Sequence, residues 1–320
     1  MSGPDRASAR RAIGAAVADG FFRALSRAGR LHPLADPARH GVTITRDVPY
    51  RETPGVEHHL DVYRPSGDGP FPVLLYLHGG GFRILSKETH WLMGLAFARR
   101  GYLVLNASYR LAPRHPYPAA IDDACAAYAY AVDRASDHGG DLDRGLVVAG
   151  ESAGANLAAS VTLACCYRRD EPYAREVFER GRVPDVALPA CGMFQVSDAA
   201  RFSRRRRIPW WLQDRIDEVG LAYLGGHGAP SLDLADPLVW VERGEAPDRP
   251  LPPFFLPVGT RDPLLDDTRR FARALRALGA VAEDRYYPGE AHAFHAMVFR
   301  DAARRCWRDT YDFLDRHARR

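Results

Sequence analysis

Short runs of uninterrupted apolar residues recur along this chain, separated by longer stretches whose apolar positions fall at helical spacing. Val73-Leu74-Leu75-Tyr76-Leu77, Tyr102 to Ala107, Leu146-Val147-Val148-Ala149, Val186 to Cys191 and Phe254-Phe255-Leu256-Pro257-Val258 carry no charge. Such runs predict strands covered on both faces. Val281 to Tyr287 reads as a last strand. Between them, the pattern predicts helices from Ser86 to Arg100, from Pro116-Tyr117-Pro118 to about Ala135, and from Ala153 to Tyr167. Two more are predicted over Asp266 to Leu278 and 299 to 317. Glycines at Gly101 and Gly279 mark two of the stops, and Ser86 reads as a cap. Before this alternation, Val42 to Arg51 and Val56 to Arg64 predict two strands, antiparallel because their connection is short. The sum is an α/β chain with a mostly parallel central sheet flanked by helices.

Two stretches stand outside the alternation. In residues 1 to about 40, Ile13, Val17, Phe21 and Leu25 recur every four residues, an apolar stripe that Leu31-His32-Pro33 ends. Residues 198 to 232 hold Arg204-Arg205-Arg206-Arg207, then Ile208-Pro209-Trp210-Trp211-Leu212, then a helical stretch to Leu224. This reads as an insertion after the sixth core strand, and with the N-terminal helix it forms a helical cap. The expected division is 1–40 and 198–232 for the cap, 41–197 and 233–320 for the core. Trp210 and Trp211 are expected in the cap core or a pocket wall, and the arginine run on a solvated surface.

Composition narrows the function classes. A net charge of +4 over 320 residues is small, and no basic stretch is interleaved with aromatics, so nucleic acid is not an expected partner. Five scattered cysteines, an odd number, argue against a disulfide framework and for a reducing, cytoplasmic setting. No Cys/His group has zinc-finger spacing, and no metal is expected. The N-terminus, through Arg10-Arg11, lacks the apolar core of a signal peptide. The uncharged helix from Ala153 to Tyr167 is too short for stable membrane insertion.

The chemistry centres on Gly150-Glu151-Ser152-Ala153-Gly154, where a buried strand must turn abruptly into a buried helix. Glycines permit that turn, and Ser152 is left exposed at a helix N-terminus, as in a nucleophile elbow. A serine hydroxyl needs a base, usually a histidine held by a carboxylate. Asp262 directly follows a buried strand and is the preferred acid over Asp236, Asp266 and Asp267. His292 lies in the loop after the last strand, with His295 as its local rival and His227 and His317 farther off. The N–H groups of Gly79, Gly80 and Ala153 are the candidates to hold a developing oxyanion.

These motifs together resemble the hormone-sensitive-lipase-like branch of serine esterases and lipases in the α/β-hydrolase superfamily. The chain carries His78-Gly79-Gly80-Gly81, Tyr109-Arg110-Leu111-Ala112-Pro113, the elbow with Asn156-Leu157, Asp262-Pro263-Leu264 and Gly289 to Phe294. The blocks span residues 73 to 294 in that family's order. The resemblance implies an α/β-hydrolase fold with a helical cap, and a triad of Ser152, Asp262 and His292. It further implies an oxyanion hole from Gly79, Gly80 and Ala153, and no cofactor. The implied activity is hydrolysis of short- to medium-chain carboxylic esters through an acyl-enzyme. The expected partner is a small-molecule ester, and a homodimer is left open. Phe82, Trp210 and Trp211 are expected at the substrate pocket. Amidase, deacetylase and acyltransferase chemistry use the same triad and stand as alternatives. So does a non-catalytic binding role, as in the similar plant gibberellin receptors, which lack the histidine that His292 supplies here. Glu151, Ala155 and Ala293 depart from the family's commonest residues, aspartate, glycine and glycine.

Overall fold

The computed structural model describes residues 6–52, 58–205, 210–225 and 231–318, with backbone alone for 6–13, 15, 203, 205 and 210–212. Eight strands form one sheet: β1 (Val42–Pro49), β2 (His59–Pro65), β3 (Val73–Leu77), β4 (Leu103–Ala107), β5 (Leu146–Glu151), β6 (Val186–Ala190), β7 (Phe254–Gly259) and β8 (Ala282–Tyr287). Their order is β1-β2-β4-β3-β5-β6-β7-β8. β1 pairs with β2 and β2 with β4 in antiparallel fashion, while every other pairing is parallel. The uncharged runs became the middle of the sheet because both of their faces are covered: β3, β4 and β5 are buried at every position.

The helices are α1 (Arg6–Arg30), α2 (Trp91–Ala98), α3 (Ala119–Arg134), α4 (Ala153–Cys166), α5 (Pro172–Glu179), α6 (Arg201–Arg205), α7 (Trp210–Leu224), α8 (Pro237–Glu242), α9 (Leu265–Ala277) and α10 (Asp301–His317). α4 is buried along its whole length, which explains its lack of charge. α9 buries Leu265, Thr268, Phe271, Ala272 and Leu275, one helical face, and Gly279 at φ 82° closes it. None of the described helices is long and apolar enough to cross a membrane.

Three expectations need correction. The helix expected from Ser86 starts only at Trp91. Ser86 N–H donates to Thr89 Oγ1 at 3.1 Å, and that hydroxyl donates back to Ser86 O at 2.7 Å. This side-chain turn competes with helix formation and delays it. α5 and α8 were not expected; both are short and begin with proline. Finally, the described side chains of the α1 stripe are not buried: Val17, Phe21 and Leu25 are 67%, 62% and 58% exposed. α1 is instead held by polar contacts, with Leu85 N–H donating to Asp19 Oδ1 at 2.9 Å and Trp91 Nε1 to Ser26 Oγ at 3.1 Å. Val56 and His227 lie outside the described residues.

Parallel strands aligned in this register bring their carboxyl ends to one edge, where such sheets place their sites. Leu77 of β3 lies opposite Gly150 of β5, and Glu151 opposite Ala190 of β6. The loops after β3, β5, β6, β7 and β8 therefore meet at one rim.

Candidate active site

The elbow is as tight as its glycines suggested. A Cβ on Gly150 would run into Gly154 O, and one on Gly154 into Leu77 O and His78 O. Ser152, between them, takes φ 55° and ψ −116°, a conformation side chains rarely adopt. Ser152 N–H donates to Ala190 O at 3.0 Å, which pins the turn to β6. The next residue, Ala153, opens α4, where the first backbone N–H groups have no partner within the helix.

Asp262 stands three residues past the end of β7 and is fully buried. Its Oδ1 accepts from Leu264 N–H at 2.8 Å, and its Oδ2 from His292 Nδ1 at 2.8 Å. A carboxylate only accepts, so the His292 proton sits on Nδ1 and Nε2 is bare in the neutral ring. The acid and histidine loops are bound together: Arg261 N–H donates to Glu290 O, and Gly289 N–H to Thr260 Oγ1. Gly259 makes this approach feasible, since a Cβ there would strike Glu290 O. Burial alone would lower the His292 pKa, but the Asp262 charge and hydrogen bond, with Cys191 beside the ring, outweigh it. The result lies well above the usual value of 6.5. The ring still reaches solvent, its side chain being 35% exposed.

The rival acids are committed elsewhere. Asp236 Oδ1 accepts from Val196 N–H at 2.5 Å and Ser197 N–H at 3.1 Å. Asp267 is buried against Arg201, with Nη2 to Oδ2 at 2.5 Å. Asp266 is a surface group near Arg269. The rival histidine is turned away as well: His295 Nε2 lies 2.8 Å from Glu151 Oε2.

The loop after β3 is braced by the Tyr109–Pro113 segment. Tyr109 OH donates to His78 O at 2.7 Å, its ring stacks on His78 at 4.2 Å, and Ala112 N–H donates to Phe82 O at 2.8 Å. His78 is fully buried, and burial with the neighbouring His90 lowers its pKa to about 3, so it stays neutral. Gly80 (φ 122°) and Gly81 (φ 58°) turn the chain in left-handed conformations. Of the three expected oxyanion donors, the Gly79 amide is turned toward His90 Nε2, 3.3 Å away, to which it donates when that nitrogen carries no proton. No sequence signal pointed to His90.

Phe82, expected at the pocket, is fully buried and stacked on Tyr223 of α7 with centroids 3.7 Å apart. It joins the loop to α7 and has no surface left for substrate. Arg83 pairs with Glu218 of α7, and a Cβ on Gly81 would meet Val219 Cγ2 at 2.7 Å. The side chains of Trp210 and Trp211 lie outside the described residues.

Cys191, at the end of β6, is a buried thiol whose pKa burial pushes up. It offers Sγ within 4.8 Å of a donor atom on Asp262 and on His292. Among the described residues this is the set best composed to hold a metal ion, though two of its members already bond each other.

The α/β-hydrolase fold family model matches residues 74–296. The chain is 35% identical over 261 residues to carboxylic ester hydrolase LipN of Mycobacterium tuberculosis, covering 80% of this chain and 66% of that protein. It is 33% identical over 231 residues to carboxylesterase NlhH of the same species, covering 70% and 66%. The matches thus take in just under two thirds of these relatives' length. Among solved structures, a bacterial heroin esterase superposes with TM-score 0.73 at 26% identity, covering 91% of this chain and 88% of that one. Esterase LipW of Mycobacterium marinum gives TM-score 0.71 at 27% identity, covering 92% and 86%.

Proposed function

The chain belongs to the α/β-hydrolase fold family, and from that premise we propose that it is a serine carboxylesterase acting on small esters. The observation that carries this reading is the Asp262–His292 pair, held at the rim where the Ser152 elbow also stands. In the proposed cycle His292 Nε2 takes the Ser152 proton as Oγ attacks the ester carbonyl. Asp262 stabilises the imidazolium. The imidazolium then gives that proton to the departing alkoxide oxygen, which leaves as the alcohol, and water hydrolyses the acyl-enzyme by the same route. Because the Gly79 amide is directed at His90, the oxyanion is assigned to the amides of Gly80, Gly81 and Ala153.

The substrate is taken to be a short- or medium-chain ester. α7 closes over the Gly81–Phe82 corner, and α1 ties to Leu85 and Trp91, so both limit the space above the loop. These two helices are the proposed cap, at 1–40 and 198–232. The five cysteines are all free and buried, which supports a reducing, cytoplasmic setting. Turnover of p-nitrophenyl esters of graded acyl length tests the reading. Wild type should cleave the shorter esters and Ser152→Ala should not; amide cleavage without ester cleavage would favour the amidase alternative.

A further inference from the structure

Glu151 precedes the nucleophile directly, yet it is buried, at 7% exposure, among three segments of the site. Its Oε1 lies 3.0 Å from His90 Nε2, and its Oε2 lies 2.8 Å from His295 Nε2. His295 sits three residues beyond His292 on the same loop. His90 Nε2 is also the atom to which the Gly79 amide points, at 3.3 Å. One carboxylate therefore meets the loop after β3, the elbow and the histidine loop.

The chemistry at His90 Nε2 makes this more than packing. A ring nitrogen either donates or accepts. With Nε2 protonated the ring donates to Glu151; with Nε2 bare it accepts from Gly79 N–H. The charge on Glu151 thus bears on the His78–Gly79 peptide; the next amide along the chain, that of Gly80 at φ 122°, is one of the assigned oxyanion donors. Burial would raise the Glu151 pKa, but the neighbouring His295 and His90 rings outweigh it and hold the carboxyl well below its ordinary range. His90 itself is fixed from behind. Its Nδ1 lies 2.9 Å from Thr89 Oγ1 and 3.2 Å from Ser86 O. Lys87, three residues earlier, is buried with Nζ 2.7 Å from both Asp47 and Asp61, and Asn106 Nδ2 donates to Lys87 O at 3.0 Å. The 86–90 turn is therefore an anchored arm, and the contact between His90 and Glu151 is where it touches the site.

We propose that Glu151 is a positioning residue: through His90 and His295 it fixes the oxyanion loop and the histidine loop against the elbow. The proposal rests on the esterase reading. Glutamate has the reach this needs. Aspartate is one methylene shorter and cannot hold both histidines at these distances.

The test uses Glu151→Gln, which keeps the shape and removes the charge, with His90→Gln, His295→Gln and Glu151→Asp beside it. Each is measured for kcat and KM on one short p-nitrophenyl ester and for Ki of a trifluoromethyl ketone. In that inhibitor complex Ser152 Oγ bonds the carbonyl carbon, its proton passes to His292, and the carbonyl oxygen becomes the bound oxyanion. Glu151→Gln should lower kcat tenfold or more, leave KM within about threefold, and weaken the ketone in step with kcat/KM. His90→Gln should do the same, and the double variant should lose no more than the worse single one. His295→Gln should shift both readings in the same direction, and Glu151→Asp should fall between wild type and Glu151→Gln. A kcat/KM within twofold of wild type overturns the proposal, as does a loss of kcat with ketone affinity unmoved. Should Glu151→Gln fail to fold, His90→Gln decides on the same two readings. A wild type with no ester turnover would remove the esterase reading itself, an outcome distinct from any of these.

Discussion

His292 donates from Nδ1 to Asp262 Oδ2 at 2.8 Å, while Leu264 N–H fills the other oxygen of the same carboxylate. The acid is thus held by its own loop, with one oxygen left to orient the imidazole. Asp262→Asn should lower kcat by up to about four decades, by analogy with serine proteases. Asp266→Asn, at the surface, should match wild type. Asp236→Asn and Asp267→Asn should lower the thermal midpoint, because each removes charge from a buried acceptor, while the folded fraction keeps its activity. Activity of all four, normalised to folded protein, checks this; a dead but folded Asp266→Asn would contradict it.

The same pair sets a pH dependence. His292 must be neutral to act as base, and its pKa is raised well above 6.5. The acid limb of kcat/KM should therefore lie on the alkaline side of 6.5. For stability the sign is opposite. A raised folded-state pKa stabilises the fold below the unfolded value and loses that contribution as pH rises through the folded one. Titration of the His292 ring by NMR should give the pKa seen in the rate profile, and a limb below 6.5 would contradict the assignment.

Ala293 occupies φ 54°, a left-handed conformation that costs a non-glycine residue about 1–2 kcal/mol. Ala293→Gly relieves that strain but adds unfolded-state freedom worth roughly 0.5–1 kcal/mol. The net expectation is a small stabilisation with kcat unchanged, read from the thermal midpoint and one ester assay. A loss of several degrees would show that the Ala293 methyl contributes packing.

Phe82 and Tyr223 join the loop after β3 to α7 through one stacked pair. Tyr223→Ala should cost about 3–5 kcal/mol, the range for large aromatic truncations. Tyr223→Phe should be close to neutral, because the buried hydroxyl has no hydrogen-bond partner among the described residues. Chemical denaturation of both variants separates ring from hydroxyl; equal losses would place the energy in the hydroxyl.

The sheet was legible because Leu74, Leu105 and Val148 sit in uncharged runs, which strands buried on both faces require. The elbow was legible because Gly150 and Gly154 admit no Cβ. The juxtaposition of Asp262 and His292 was legible from their places just after two strands, and a hydrogen bond joins them there. His90 and the buried Lys87 were not legible, since their partners lie far off in sequence. Lys87 meets Asp61 across 26 positions, and His90 meets Glu151 across 61. Local periodicity carries no record of such pairings. Phe82 was misplaced for the same reason: only the path of α7 puts Tyr223 on its ring.

The most direct test of the central claim is the site of covalent labelling by a fluorophosphonate. Native protein should take up one equivalent, lose ester turnover in proportion, and yield the adduct on the peptide containing Ser152. Protein denatured beforehand should take up none, and Ser152→Ala should neither label nor turn over. An adduct on another serine, or ester turnover that persists in folded Ser152→Ala, would contradict the assignment.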